Sequence, residues 1–248
     1  MTTHPSYVVV SIEGNIGSGK STLLKYLKEI CKDEGTMCVK HPDTGEDVIR
    51  NVVFLQEPVD KWATICDENG VTMLEKFYED KKKYAFAFQM MAYISRLELL
   101  QKACRDHPDA IIITERSLYT DKHVFTKMLH DTFDIETIEK TIYDEWFHTF
   151  SSEFKMSGMV YLKTQPEKCS SRIHKRSRDG EGAIPTSYLS LCEDYHEAMM
   201  KRENVCDYMR DGKRDTEILV LDGNSEFADK KDEWTDNVKT YLGKIVYA

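Results

Sequence analysis

Five short runs of β-branched and aliphatic residues punctuate the chain, at 7–12, 52–55, 111–114, 159–162 and 218–221. Their apolarity is nearly continuous rather than alternating, which marks strands covered on both faces, as in a parallel sheet. Longer segments with apolar residues at helical spacing separate them: 21–31, 71–104, 135–150, 166–178, 187–208 and 229–246. Strands alternating with helices predict one doubly wound α/β domain over 1–248, built on a five-stranded parallel sheet. The stretches 43–50 and 207–216 read as polar loops. Lys81, Lys82 and Lys83 read as a solvated helix face.

Composition narrows the partners. The 248 residues are 41% hydrophobic and carry a net charge of −9, so a sizeable core is available and a phosphate-backbone binder with an electropositive face is disfavoured. No nucleic-acid partner is expected. No apolar run nears the ~20 residues that span a bilayer, so no membrane association is expected either. Only residues 1–6 precede the first strand-like run, too few for a signal or transit peptide. Seven cysteines with no C-x-x-C spacing read as reduced thiols of a cytoplasmic protein rather than a disulfide or zinc framework.

The first run leads into Gly14-Asn15-Ile16-Gly17-Ser18-Gly19-Lys20-Ser21, which fits the P-loop pattern G-x-x-x-x-G-K-[ST]. Glycines let the backbone curl so that N–H groups point at phosphate oxygens, and the next helix adds its positive end. The loop and Thr22 are candidates to bind a nucleoside triphosphate. Lys20 reaches for the β/γ-phosphates and the Ser21 hydroxyl for Mg²⁺. A Val-rich strand before the motif and an amphipathic segment after it supply the required context.

In an open parallel sheet, ligands bind beyond the carboxyl ends of the strands. The second predicted strand runs into Glu57-Pro58 and the third into Glu115-Arg116-Ser117. A carboxylate and an acid–arginine pair therefore converge on the phosphate edge. No guanine-reading G-D/N-K-x-D pattern of the GTPases is visible.

These residues, together with Trp62, the run Phe86-Ala87-Phe88-Gln89, Ser95-Arg96, Asp121, Arg172-Ile173 and Leu221-Asp222-Gly223-Asn224, give a chain that resembles the deoxynucleoside kinases from residue 12 to about 227. The likeness is strongest to the deoxycytidine and deoxyguanosine kinase type. It implies a P-loop kinase fold with an arginine-rich lid at about 172–185. The implied activity is transfer of the γ-phosphoryl group of ATP or another triphosphate to the 5′-hydroxyl of a deoxynucleoside, with Mg²⁺. Glu57 is then the general base. Arg116 neutralises charge near the acceptor oxygen and restrains Glu57, while Glu115 holds Mg²⁺ with Ser21. Arg172 and Arg176, four apart on one helix face, close over the phosphoryl group with Arg178.

The resemblance also implies a nucleoside pocket. Trp62, Phe88 and Phe125 sandwich the base, with Ile16, Leu74 and Phe77 behind, and Tyr78 and Glu181 bind the 3′-hydroxyl. Gln89 can pair bidentately with an adenine or cytosine edge. Relatives that accept thymidine have apolar residues where Arg96 and Asp121 stand, so deoxycytidine and purine deoxynucleosides are expected over thymidine. Glu226 and Phe227 resemble the loop that holds the donor base. Family likeness suggests a homodimer through the helices near 71–104 and 135–150.

The chain departs from the pattern at Gly180, where a second lid acid is usual. The Trp62–Tyr78 connection is short, and the region 40–51 is long. Two alternatives remain at this point: a thymidylate-type monophosphate kinase, and a nucleotide-binding module with no acceptor. The first usually carries Asp-Arg, not Glu-Arg, at the third strand end.

Overall fold

Strand β1 (Val8–Glu13) turns Val10 and Ile12 to one face and Val9 to the other, and each face meets its own apolar layer. That two-sided burial explains the unbroken apolar runs. The computed structural model describes residues 7–31, 35–176, 184–201 and 218–247. The strands that follow are β2 (Thr36–Lys40), β3 (Asp47–Leu55), β4 (Ile111–Glu115), β5 (Gly158–Lys163) and β6 (Leu219–Asp222). They form a six-stranded sheet in the order β2-β3-β4-β1-β5-β6. β1 pairs in parallel with both β4 and β5, β3 with β4, and β5 with β6.

Helix α1 (Lys20–Glu29) and the C-terminal helix α10 (Phe227–Val246) cover one face. Leu23, Leu27, Trp234 and Leu242 pack there on Ile12, Ile111 and Leu162. The other face carries α4 (Lys81–Asp106) and α7 (Thr137–Ser151), where Tyr93, Tyr143 and Phe147 close over Val9, Ile112 and Met159. A third cluster joins α2 (Val59–Ala63), α3 (Met73–Glu79), α4, α8 (Pro166–Arg176) and α9 (Thr186–Met199) above the strand ends.

Three sequence expectations change. The five expected strands form the parallel array, but β2 adds a sixth, antiparallel to β3. The stretch 43–50 is therefore not wholly a loop, since β3 begins at Asp47. The expected helix at 71–104 is two helices, broken at Asp80, whose carboxylate caps α4 by accepting from Lys83 N. Between β4 and α7 the chain forms α5 (Leu118–Thr120), a π-helical segment (Asp121–Thr126) and α6 (Lys127–Asp131). The stretch 207–216 lies outside the described residues.

Candidate active site

The loop between β1 and α1 depends on glycines with positive φ at 14, 17 and 19. A Cβ on Gly14 would meet Leu162 O at 2.6 Å, and one on Gly17 would meet Cys169 O at 2.7 Å. Backbone curvature and close packing on β5 and α8 thus exclude larger residues. Lys20 Nζ is buried and donates to Asn15 O at 2.7 Å. Burial, with the nearby Arg116 charge, lowers its pKa to about 7, against the opposing pull of Glu115 and Glu57. At the start of α1, Ser21 Oγ donates to Glu115 Oε1 at 2.5 Å.

β3 and β4 bring the acids and arginines together at the same edge. Arg116 sits just past β4 at φ 65°, a left-handed conformation that costs a non-glycine residue roughly 1–2 kcal/mol. Its N–H donates to Ile12 O, and its side chain reaches back under the P-loop. There Nη1 donates to Gly14 O at 2.8 Å, and Nε lies 3.4 Å from Glu57 Oε1. Arg96, from α4, places Nη2 3.1 Å from the same carboxylate oxygen. It also grips Asp121 through Nε at 2.9 Å and Nη2 at 3.2 Å, and donates through Nη1 to Glu115 O. Burial alone raises the pKa of Glu57. Arg116, Arg96 and Lys20 together overcome that and lower it to about 2.

One cavity of about 550 Å³ joins these groups to an apolar chamber, a volume typical of small-ligand sites. Phe77 and Phe88 stack with centroids 4.6 Å apart, and Trp62 meets Phe88 edge-on at 5.7 Å. Trp62 Nε1 donates to Ser95 Oγ, which fixes the indole. Ile16, Leu74, Tyr78 and Phe125 also line the chamber, with Gln89 and the Arg96–Asp121 pair as its polar groups. Gln89 is buried, and its amide has no hydrogen-bond partner among the described residues. That amide lines the cavity, where it can pair with a group that enters.

A family model for the deoxynucleoside kinases matches residues 10–246. The chain belongs to the deoxynucleoside kinase family. It is 32% identical to the deoxycytidine kinase of Rattus norvegicus, over 94% of this chain and 90% of that one. The deoxycytidine kinase of Homo sapiens is 31% identical over 95% of this chain and 91% of its own. The mitochondrial deoxyguanosine kinase of Xenopus laevis is 27% identical over 95% and 90%.

Most of the residues expected from sequence line this one cavity: 16–22, Glu57, Trp62, Leu74, Phe77, Tyr78, Phe88, Gln89, Arg96, Glu115, Arg116, Asp121, Phe125, Arg172, Arg176, Glu226 and Phe227. Gly14 and Asn15 do not. The Asn15 amide instead donates to Leu189 O and its Oδ1 accepts from Ile16 N, so it braces the loop against α9. Arg172 lines the cavity beside the P-loop and is held there by backbone carbonyls. Its Nη1 donates to Ser18 O and Gly223 O, and its Nη2 to Ser225 O. It ties the P-loop to the turn after β6. Arg178 and Glu181 lie outside the described residues, as does half of the expected lid. Sequence reasoning missed Lys175, Tyr188 and Trp234 on the cavity wall. Lys175 was legible in the basic run at 174–176; the other two resemble ordinary core aromatics.

Proposed function

We propose that the chain moves the γ-phosphoryl group of ATP, or another nucleoside triphosphate, to the 5′-hydroxyl of a deoxynucleoside, yielding the monophosphate for nucleotide salvage. One observation carries this reading: Glu57 and the P-loop with Lys20 share a single cavity that continues into a chamber lined by Trp62, Phe77, Phe88 and Phe125. A monophosphate kinase needs no buried carboxylate at the acceptor, because its acceptor is already ionised. Glu57 therefore speaks for an alcohol acceptor.

The P-loop amides and Lys20 hold the triphosphate, and Arg176 adds positive charge on the same wall. The 5′-oxygen–phosphorus bond forms as the β–γ bridging bond breaks, its electron pair leaving with the diphosphate. The hydroxyl proton passes to Glu57. A carboxylate held near pKa 2 is a weak base, but in a loose phosphoryl transfer the nucleophile sheds its proton late. Glu57 first orients the hydroxyl by accepting its hydrogen bond, and takes the proton as the new bond completes. Arg116 keeps that carboxylate ionised and in place. Ser21 and Glu115 put two oxygen donors side by side on the cavity wall, a donor set that suits Mg²⁺. Ser21 and Glu115 would hold the ion, which would supply charge neutralisation for the transferred phosphoryl group.

Gln89 reads the base edge, and Arg96–Asp121 fills the space a 5-methyl group needs. We therefore favour deoxycytidine and purine deoxynucleosides over thymidine. An exposed apolar stripe on α7 and Ile94 on α4 support a homodimer through these two helices. No described helix is long and apolar enough to cross a membrane. The six described cysteines are free thiols, which fits a cytoplasmic enzyme.

The deciding experiment is a coupled ADP-release assay with each of four deoxynucleosides. Release should rise on adding nucleoside and collapse in Glu57→Ala. Release that ignores the nucleoside would return the chain to a slow nucleotide hydrolase.

A further inference from the structure

We infer that His196 is a positioning residue for phosphoryl transfer, holding the Arg116 guanidinium against Glu57 from behind the cavity. This deepens the kinase reading above and rests on it. His196 lies on the buried face of α9 with Leu189, Cys192 and Met199. It does not line the cavity and acts through Arg116.

The bonding around its ring permits one tautomer. Nδ1 is 2.6 Å from Cys192 O, a group that only accepts, so Nδ1 carries the proton. Nε2 is 3.5 Å from Arg116 Nη1, a group that only donates, so Nε2 is the acceptor. Full burial, and then the adjacent Arg116 charge, lower the imidazole pKa to about 3, so the ring stays neutral. The ring is held on its other sides by Tyr161, stacked with centroids 6.4 Å apart, and by Phe125, edge-on at 6.1 Å. Phe125 in turn lies 4.8 Å below the Arg116 guanidinium. Arg116 therefore rests between Gly14 O, an imidazole and an aromatic face, with Nε left for Glu57.

This support matters because Arg116 leaves a left-handed backbone. A guanidinium free to swing would let the Glu57 carboxylate turn away from the hydroxyl it orients. The effect belongs in turnover rather than in nucleoside affinity.

Glutamine and asparagine separate the two bonds. In His196→Gln the side-chain oxygen can stand where Nε2 stands, whereas His196→Asn keeps only the donor toward Cys192 O. In the full-length chain, His196→Asn should lower kcat about 10- to 100-fold with nucleoside KM within about twofold. His196→Gln should recover to within about threefold of the parent, and the two variants should melt at similar temperatures. Equal kcat for the two variants, a loss confined to KM, or a loss that follows the melting temperature would overturn the assignment. Glu57→Gln is run alongside. If ADP release by the parent chain ignores the nucleoside, the kinase reading itself falls; if Glu57→Gln is inactive while His196→Asn is normal, only the role of His196 falls.

Discussion

The Arg96 guanidinium stands 3.1 Å from Glu57 Oε1, so the residue that closes the base chamber also touches the carboxylate assigned to the acceptor hydroxyl. Base choice and catalysis are thereby coupled. Arg96→Met leaves Asp121 buried without its ion-pair partner, a loss of about 3–5 kcal/mol for a buried pair broken on one side. It should melt early and be slow with every nucleoside. The double variant Arg96→Met/Asp121→Ala removes both charges and opens space. It should regain stability and raise thymidine use relative to deoxycytidine about 10-fold or more in kcat/KM. Thermal unfolding and a four-nucleoside rate panel check both parts. An unchanged thymidine ratio in the double variant would remove this pair from base selection.

The contact between Ser21 Oγ and Glu115 Oε1 predicts a specific metal phenotype. Chelation should abolish turnover, and added Mg²⁺ should restore it. Glu115→Gln should raise the Mg²⁺ concentration for half-maximal rate about 10- to 100-fold, with nucleoside affinity unaltered by calorimetry. If Mg²⁺ dependence is unchanged, Glu115 serves only to brace Ser21.

Lys20 sets a pH dependence whose direction follows from its lowered pKa. The unfolded chain holds this proton up to about 10.5 and the folded one only to about 7. The unfolded state binds more protons between those values, so Lys20 makes stability rise with pH there. Glu57 works in another window. Its folded value of about 2 against 4.5 gives stability present above the unfolded value and lost as pH falls towards 2. Triphosphate binding brings negative charge to Lys20 and should draw its proton back. Calorimetry at pH 8 in buffers of different ionisation enthalpy should report uptake of roughly one proton per triphosphate. Lys20→Met should abolish it.

Legibility in the sequence followed burial. The strands covered on both faces stood out as unbroken apolar runs, while β2 and the start of β3 did not. Asp47, Arg50 and Asn51 belong to strand β3, but an edge alternates instead of running apolar. The break at Asp80 carries its own local signal, an aspartate whose carboxylate accepts from Lys83 N at the start of α4. The P-loop and both strand-end acids were readable because short motifs fix them. His196 was not, because its role comes from an arginine 80 residues away. The left-handed φ of Arg116 likewise has no side-chain signature, and the π-helical turn at Asp121 has no strong one.

Arg172 is expected to act first on stability. Its three donor bonds join Ser18 O of the P-loop to Gly223 O and Ser225 O. Arg172→Ala should cost about 2–4 kcal/mol in chemical denaturation, with a higher KM for the triphosphate. Arg172→Lys should recover little, because an ammonium lacks the planar fork. A stable Arg172→Ala protein with collapsed kcat would instead place the guanidinium on the transferred phosphoryl group.

Four of the large apolar side chains left exposed in this chain recur every four residues along α7: Ile138, Ile142, Trp146 and Phe150. Trp146 and Phe150 touch, with ring centroids 5.3 Å apart, and Ile94 of α4 is exposed as well. A spacing of four keeps these groups on one helix face, where hydration is unfavourable unless a second copy covers them. Sedimentation should give a dimer for the parent chain, and Ile142→Glu/Trp146→Glu should give a monomer that keeps its fold by circular dichroism. The substitutions lie on the side of α7 away from Tyr143 and Phe147, which are buried against the sheet, so loss of the dimer need not disturb the core. A parent chain that sediments as a monomer at micromolar concentration would leave that face to some other partner.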